Sequence, residues 1–242
     1  MGPTLYGAIP SVPVDFFAPA HQGSVFRAVT EGYRVIGIVD GLFGNVPSIW
    51  HKEILYALSE GAAVFGAASM GALRAAELSS LGMIGIGLAY RLFRRGVLKD
   101  DDEVCVIHAP ADSGFRPLSI AMLDFRLTLR AISRVSVERN ICDEVLDALK
   151  RLHFSERTLY SARKIAIDRL GDREGAALAD SIERNLLSSK REDAMRMISA
   201  LLTVRTDNNR KLFWRFPETQ HFTRQFRREL LHVPKNEPYS QC

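Results

Sequence analysis

The stretch Val64-Phe65-Gly66-Ala67-Ala68-Ser69-Met70-Gly71-Ala72-Leu73-Arg74-Ala75-Ala76-Glu77-Leu78 decides the fold. Its first residues form an apolar run of strand length, and Ala72 to Leu78 are strong helix formers, so the segment reads as strand, sharp turn and helix with Ser69 at the turn. Small residues on both sides let a backbone bend tightly there and leave the serine exposed above a parallel sheet. The spacing Ala67-x-Ser69-x-Gly71 approaches G-x-S-x-G, with alanine in its first place. The helix that follows is expected to aim backbone N–H groups at any oxyanion formed beside Ser69. Serine is equally at home as a helix N-cap, and this window alone supports both readings.

Upstream, Arg34-Val35-Ile36-Gly37-Ile38-Val39 is a run suited to a strand covered on both faces, ending at Asp40-Gly41. A helix is expected from Pro47 to about Leu58, with Trp50, Ile54 and Leu58 as its buried stripe. Strand, helix and strand at this spacing make a parallel crossover, so Asp40 and Ser69 are expected at one edge of one sheet, where ligands of open sheets bind. His51 lies early in the intervening helix, whose positive end favours the neutral imidazole that a general base requires. Taken alone, His51 is better read as a partly buried polar residue touching the loop after Asp40. Glu53 is read as a solvated or partner-facing carboxylate.

Before this core, a proline-rich segment holds a short expected strand at Leu5 to Ile9, then a helix at Ser24 to Glu31 closed by Gly32. After it, Gly82-Met83-Ile84-Gly85-Ile86-Gly87 has the wrong glycine spacing for a dinucleotide fingerprint and follows a helix. A short helix over Ile86 to Arg95 leads to Asp100-Asp101-Asp102-Glu103 and an expected strand Val104 to His108 holding Cys105. Four carboxylates in a row can hold magnesium, but as a continuous run they read as solvated, and no metal site is assigned. From Pro117 onward helical periodicity takes over, in segments starting at Ser119, Glu138, Glu156, Glu174 and Glu192. The fold class is thus α/β: a small open parallel sheet with flanking helices over 1–116, then an all-helical region over 117–242. Aromatic and arginine residues interleave from Lys211 to Leu231. That mixture can stack single-stranded nucleic acid, but aromatics closing a small helical core are the favoured reading.

Of the 242 residues, 47% are hydrophobic and 25% charged, ordinary for a soluble globular protein. With no apolar run of spanning length and no signal-peptide pattern, a cytoplasmic protein without a membrane partner is expected. Cys105, Cys142 and Cys242 are scattered and unpaired in sequence, against a disulfide framework, zinc site or redox motif. Residues 151–242 carry 18 basic against 12 acidic side chains, which leaves 1–150 at −2 of the net +4. Such an excess suits an acidic protein or peptide, or a nucleic acid.

The strings Val39-Asp40-Gly41-Leu42-Phe43, Val46-Pro47-Ser48-Ile49-Trp50-His51-Lys52-Glu53-Ile54-Leu55 and Phe65 to Leu78 closely resemble the core of the TfuA-like family. Gly82-Met83, Gly85-Ile86-Gly87 and Asp101-Asp102-Glu103-Val104 extend the resemblance over roughly 2–130. It departs at Ser24, where the family carries Asp, and in the absence of the strand that normally precedes the turn matching Gly2-Pro3-Thr4-Leu5. The resemblance implies an accessory role beside YcaO-type enzymes, which use ATP to activate a backbone amide so that sulfur replaces its oxygen. No cofactor of its own is implied for this chain. Partners implied are the YcaO-type enzyme, a ubiquitin-fold sulfur carrier ending in a thiocarboxylate and a precursor peptide; nucleic acid is disfavoured.

The leading expectation is therefore sulfur delivery by hydrolysis of the thiocarboxylated carrier. Ser69 is the expected nucleophile, His51 the base, and Asp40 the group that orients the histidine or substrate. Arg74 is expected to hold the carrier's tail or the developing anion, Glu77 and Arg126 to brace the site, and Glu53, Met70 and Gly71 to complete the substrate-binding set. The main alternative is a non-catalytic adaptor that docks the enzyme and its sulfur donor; a generic α/β hydrolase or nucleotide-binding module is a third.

Overall fold

A computed structural model describes residues 14–41, 46–204 and 212–232. The expected strand at Leu5 to Ile9 and Cys242 lie outside them. The described chain folds into two compact units, one of 14–98 with 190–232 and one of Lys99–Ser189. The change in composition at 116/117 and this division by packing are different cuts of the chain.

In the first unit, helix α1 (Ser24–Thr30) precedes strand β1 (Val35–Ile38), helix α2 (His51–Ser59), strand β2 (Ala63–Ala67), helix α3 (Met70–Leu78), strand β3 (Ile84–Ile86) and helix α4 (Gly87–Arg94). The strands make one parallel sheet in the order β1-β2-β3, with Ile38 opposite Gly66 and Gly66 opposite Gly85. Parallel pairing requires crossovers, which α2 and α3 supply. Side chains alternate across β2. Val64 joins Ile54, Ala57 and Leu58 of α2 and Met70, Ala75 and Leu78 of α3 in one core, while Phe65 and Ala67 face a second core. Helix α9 (Ser189–Leu201) closes that second core with Met197 and Leu201. It lies so close that a Cβ on Gly37 would stand 2.7 Å from Leu201 Cδ1 and 2.9 Å from Met197 Cε.

Helix α10 (Gln220–His232) seats Phe222 and Phe226 in an aromatic cluster with Phe26 of α1 and Trp50 and Tyr56 of α2. The aromatic tail thus closes a core, and buried Phe222 and Phe226 offer no stacking platform, although Phe213 is 81% exposed. The core they close is on α1 and α2.

The second unit is helical: α5 (Met122–Ile132), α6 (Arg139–Arg151), α7 (Leu159–Leu170) and α8 (Asp172–Arg184). They bury Phe125, Leu129, Val145, Leu149 and Ile182 together, as the helical periodicity requires. Three expectations are corrected. Val104 to His108 is not a strand, since among the described residues its only sheet-like pairing is an isolated antiparallel bridge from His108 to Pro117; Cys105 is buried there. Residues 84–86 form β3, a strand hidden by its glycines. Helix α2 starts at His51 and not at Pro47, because the extended Trp50 caps it (φ −80°, ψ 143°). No helix among the described residues is long and apolar enough to cross a membrane.

Candidate functional site

At the C-terminal end of β2 the chain turns on Ala68, whose φ of +69° lies in the left-handed region that alanine rarely enters. The Ser69 N–H donates back to the Ala67 carbonyl at 2.9 Å, closing a γ-turn around Ala68, and also reaches the Val39 carbonyl at 3.2 Å. Positive φ at a residue with a Cβ costs about 1–2 kcal/mol, which the surrounding packing must hold in place. That packing is close: a Cβ on Gly71 would stand 1.8 Å from the Ile38 carbonyl oxygen, and one on Gly66 2.0 Å from the Gly71 carbonyl. Only glycine fits either place.

This pressed geometry changes what the turn presents. Ser69 is 1% accessible, where the sequence suggested an exposed side chain. The Gly71 N–H is directed to the Val39 carbonyl and the Ala72 N–H to the Ser69 carbonyl, so these donors of the first turn point into the protein and not at an outside anion. Ser69 has a non-helical backbone at the head of α3 but does not cap it with its side chain.

Asp40 stands where expected, two residues past Ile38 and beside the Ser69 turn. The Val39 carbonyl meets the Ser69 N–H, and a Cβ on Gly41 would lie 3.0 Å from Met70 Cγ, so both neighbours of Asp40 touch the turn. The Asp40 carboxylate accepts the Gly41 N–H at 3.0 Å on one oxygen and is ion-paired to Lys190 of α9 on the other. Lys190 lay beyond anything the sequence could assign, because 150 residues separate it from its partner.

His51 belongs to a different grouping. Its Nε2 is 2.7 Å from Glu77 Oε2, and Arg74 Nη1 donates to the same oxygen at 2.7 Å. Arg74 Nε also donates to the Ile49 carbonyl at 3.0 Å, fixing the approach to α2. Burial pushes the Glu77 carboxyl up, but the hydrogen bonds and charges of His51 and Arg74 outweigh it and leave it below its ordinary value. Glu77 lies eight residues beyond Ser69, roughly 12 Å along the helix axis at 1.5 Å per residue. The structure therefore assembles His51 with Glu77 and Arg74, and Asp40 with Lys190, as two groupings. The carboxylate on the imidazole is Glu77.

Glu53 is the largest departure. It is fully buried, not solvated, and accepts N–H groups from Gly23 (3.2 Å), Val25 (2.9 Å), Phe26 (3.3 Å) and Trp50 (2.8 Å). One carboxylate thus fastens the starts of α1 and α2. Burial pushes its pKa up to about 7 against the opposing pull of those N–H groups. The sequence held the signal: a glutamate three residues after the cap position is half of a capping box, visible once α2 begins at His51.

Arg126 sits in the other unit, donating from Nε and Nη2 to Glu103 at 2.8 Å each. Lys150 reaches Asp100 (3.0 Å), Asp102 and Glu103 (3.1 Å), and buried Arg157 reaches Asp102 at 2.5 Å. The ligand atoms of Asp100, Asp102 and Glu103 lie within 4.8 Å of one another, close enough for a metal ion. Three side-chain cations already meet these carboxylates, so the cluster is an internal ion network rather than a set of open ligands. Burial acts to raise Asp102 and Glu103, and the cations hold both below the usual carboxylate range.

A family model described as TfuA-like protein matches residues 40–158. No curated protein matches the chain. The match contains Asp40, His51, Glu53, Ser69, Arg74, Glu77 and Arg126, and stops short of Lys190.

Proposed function

Residues 40–158 of this chain belong to the TfuA-like family, and on that footing we propose that the protein is an accessory of YcaO-dependent thioamidation of a peptide or protein backbone amide. Its task in this reading is sulfur delivery from a ubiquitin-fold carrier that ends in a thiocarboxylate; ATP is used by the partner enzyme. The Ser69 oxygen attacks the terminal acyl carbon, forming an ester as the carbon–sulfur bond breaks, and the serine's proton leaves with the departing sulfide. Water then hydrolyses the ester, restoring the serine and leaving a carrier carboxylate. Arg74, held with His51 on Glu77, receives the carrier's tail, and Asp40 orders the Ser69 edge. The observation that carries this reading is the turn at Ala68, a strained backbone held at the C-terminal edge of a parallel sheet.

A second reading is favoured by two observations, the 1% accessibility of Ser69 and the engagement of His51 Nε2 with Glu77. In it the protein is a non-catalytic adaptor that docks the enzyme and its sulfur donor. Incubation with a thiocarboxylated carrier separates them. The hydrolase releases sulfide and loses that release on Ser69→Ala. Undiminished release from that variant removes the nucleophile, and no release from the native protein, with thioamidation by the partner still stimulated, establishes the adaptor.

A further inference from the structure

The group that holds Asp40 comes from outside the residues that carry the family resemblance. Lys190 is the second residue of α9, and three features fix that helix in place. Its Met197 and Leu201 lie over Gly37, where a Cβ would stand 2.7 Å from Leu201 Cδ1 and 2.9 Å from Met197 Cε. Its buried Asp193 accepts the N–H groups of Leu88 (2.7 Å) and Ala89 (2.9 Å) at the start of α4. Gly87 makes that approach possible, with φ +98° and space in which a Cβ would stand 2.1 Å from the Asp193 carboxyl carbon. Helix α9 is thus set on the sheet by close contacts along its length, and its first turn delivers an ammonium to the carboxylate beside Ser69. Lys190 and Asp40 are 24% and 15% accessible, so the pair is shielded more than a surface ion pair.

We propose that Lys190 is a positioning residue of this site, acting through Asp40: with the Gly41 N–H on one carboxylate oxygen and Lys190 on the other, Asp40 is held in one orientation at the Ser69 edge. The inference rests on the reading that this edge is the reactive one. His51 and Arg74, the other cationic candidates on α2 and α3, are turned to Glu77, while Lys190 is ion-paired to Asp40.

The test uses the full chain, with Lys190→Gln, Lys190→Arg, Asp40→Asn and the Asp40→Asn/Lys190→Gln double variant, and sulfide release from the thiocarboxylated carrier as readout. Lys190→Gln is expected to lower kcat about tenfold or more with KM changed less than about threefold, since the loss is one of orientation and not of substrate binding. Lys190→Arg recovers most of it, and the double variant is no slower than Asp40→Asn alone, because the lysine works through the aspartate. Unchanged kcat in Lys190→Gln, or additive losses in the double variant, overturns the inference while leaving the serine chemistry standing. If the native protein releases no sulfide, the acyl-transfer reading fails by itself. The lysine is then judged by the carbon NMR titration of the Asp40 carboxyl: its midpoint rises in Lys190→Gln and not in Lys190→Arg. A midpoint that stays put in Lys190→Gln overturns the inference.

Discussion

Both units of this protein bury acidic side chains that tie together segments far apart in sequence, and they neutralise them by opposite means. In the α/β unit Glu53 is met, among the described residues, by backbone N–H groups at the starts of two helices. In the helical unit Asp102 and Glu103 are met by the cations of Lys150, Arg157 and Arg126. Dipoles leave the burial penalty of Glu53 uppermost, and full charges reverse that penalty for the other two. Glu53 therefore loses its stabilising effect as pH rises, and Asp102 and Glu103 lose theirs as pH falls.

The largest break in this comparison is Glu53→Leu, which leaves four N–H groups buried without an acceptor. A loss of about 4 kcal/mol is expected from unfolding in urea, and a loss under about 1 kcal/mol would mean that water replaces the carboxylate. Arg157→Met comes next, since the guanidinium is 1% accessible and serves Asp102 and the carbonyls of Leu149, Lys150 and Leu152. About 3 kcal/mol is expected, confined to the helical unit, because a shielded carboxylate loses its partner.

The pH responses sharpen the contrast. A carboxyl raised in the folded state to about 7 from 4.5 contributes stability that is complete below 4.5 and lost as pH rises through 7. At 1.36 kcal/mol per pH unit this amounts to about 3 kcal/mol between pH 4.5 and 7.5 for the α/β unit. Glu53→Gln, which has no proton to lose, flattens that slope, and a slope that survives the substitution refutes the assignment. Asp102 and Glu103 are lowered, so their contribution is present above the ordinary carboxylate pKa and disappears as pH falls through their folded values. The helical unit melts first in acid, which circular dichroism of native and Arg157→Met proteins will show. The smallest effect is at the turn: Ala68→Gly removes a positive-φ strain and is expected to raise the midpoint of thermal unfolding, by about 1 kcal/mol in stability.

The parallel sheet was legible because β-branched and apolar runs at Val35 and Val64 bracket a stretch of helix period, and the helical half because its periodicity is long and regular. Local pattern also placed Asp40 and Ser69 on one edge. It failed where the determinant was distant or indirect. Glu53 reads as polar and therefore outside, until the cap at Trp50 is fixed by its backbone. Val104 to His108 has strand composition but no neighbouring strand among the described residues to pair with. Lys190 and Asp193 reach Asp40 and α4 across more than 100 residues, and no short-range pattern carries such pairings.

Helix α9 has a consequence for synthesis. The sheet is finished when residue 86 has been made, but the face holding Phe65, Ile84 and Ile86 packs on Met197, Leu201 and Val204, which are made later. At the usual pace of translation the intervening chain takes roughly 6 to 23 seconds to appear. Through that interval the nascent protein carries an apolar sheet face that α9 has not yet covered, so any delay in synthesis before residue 201 lengthens its exposure.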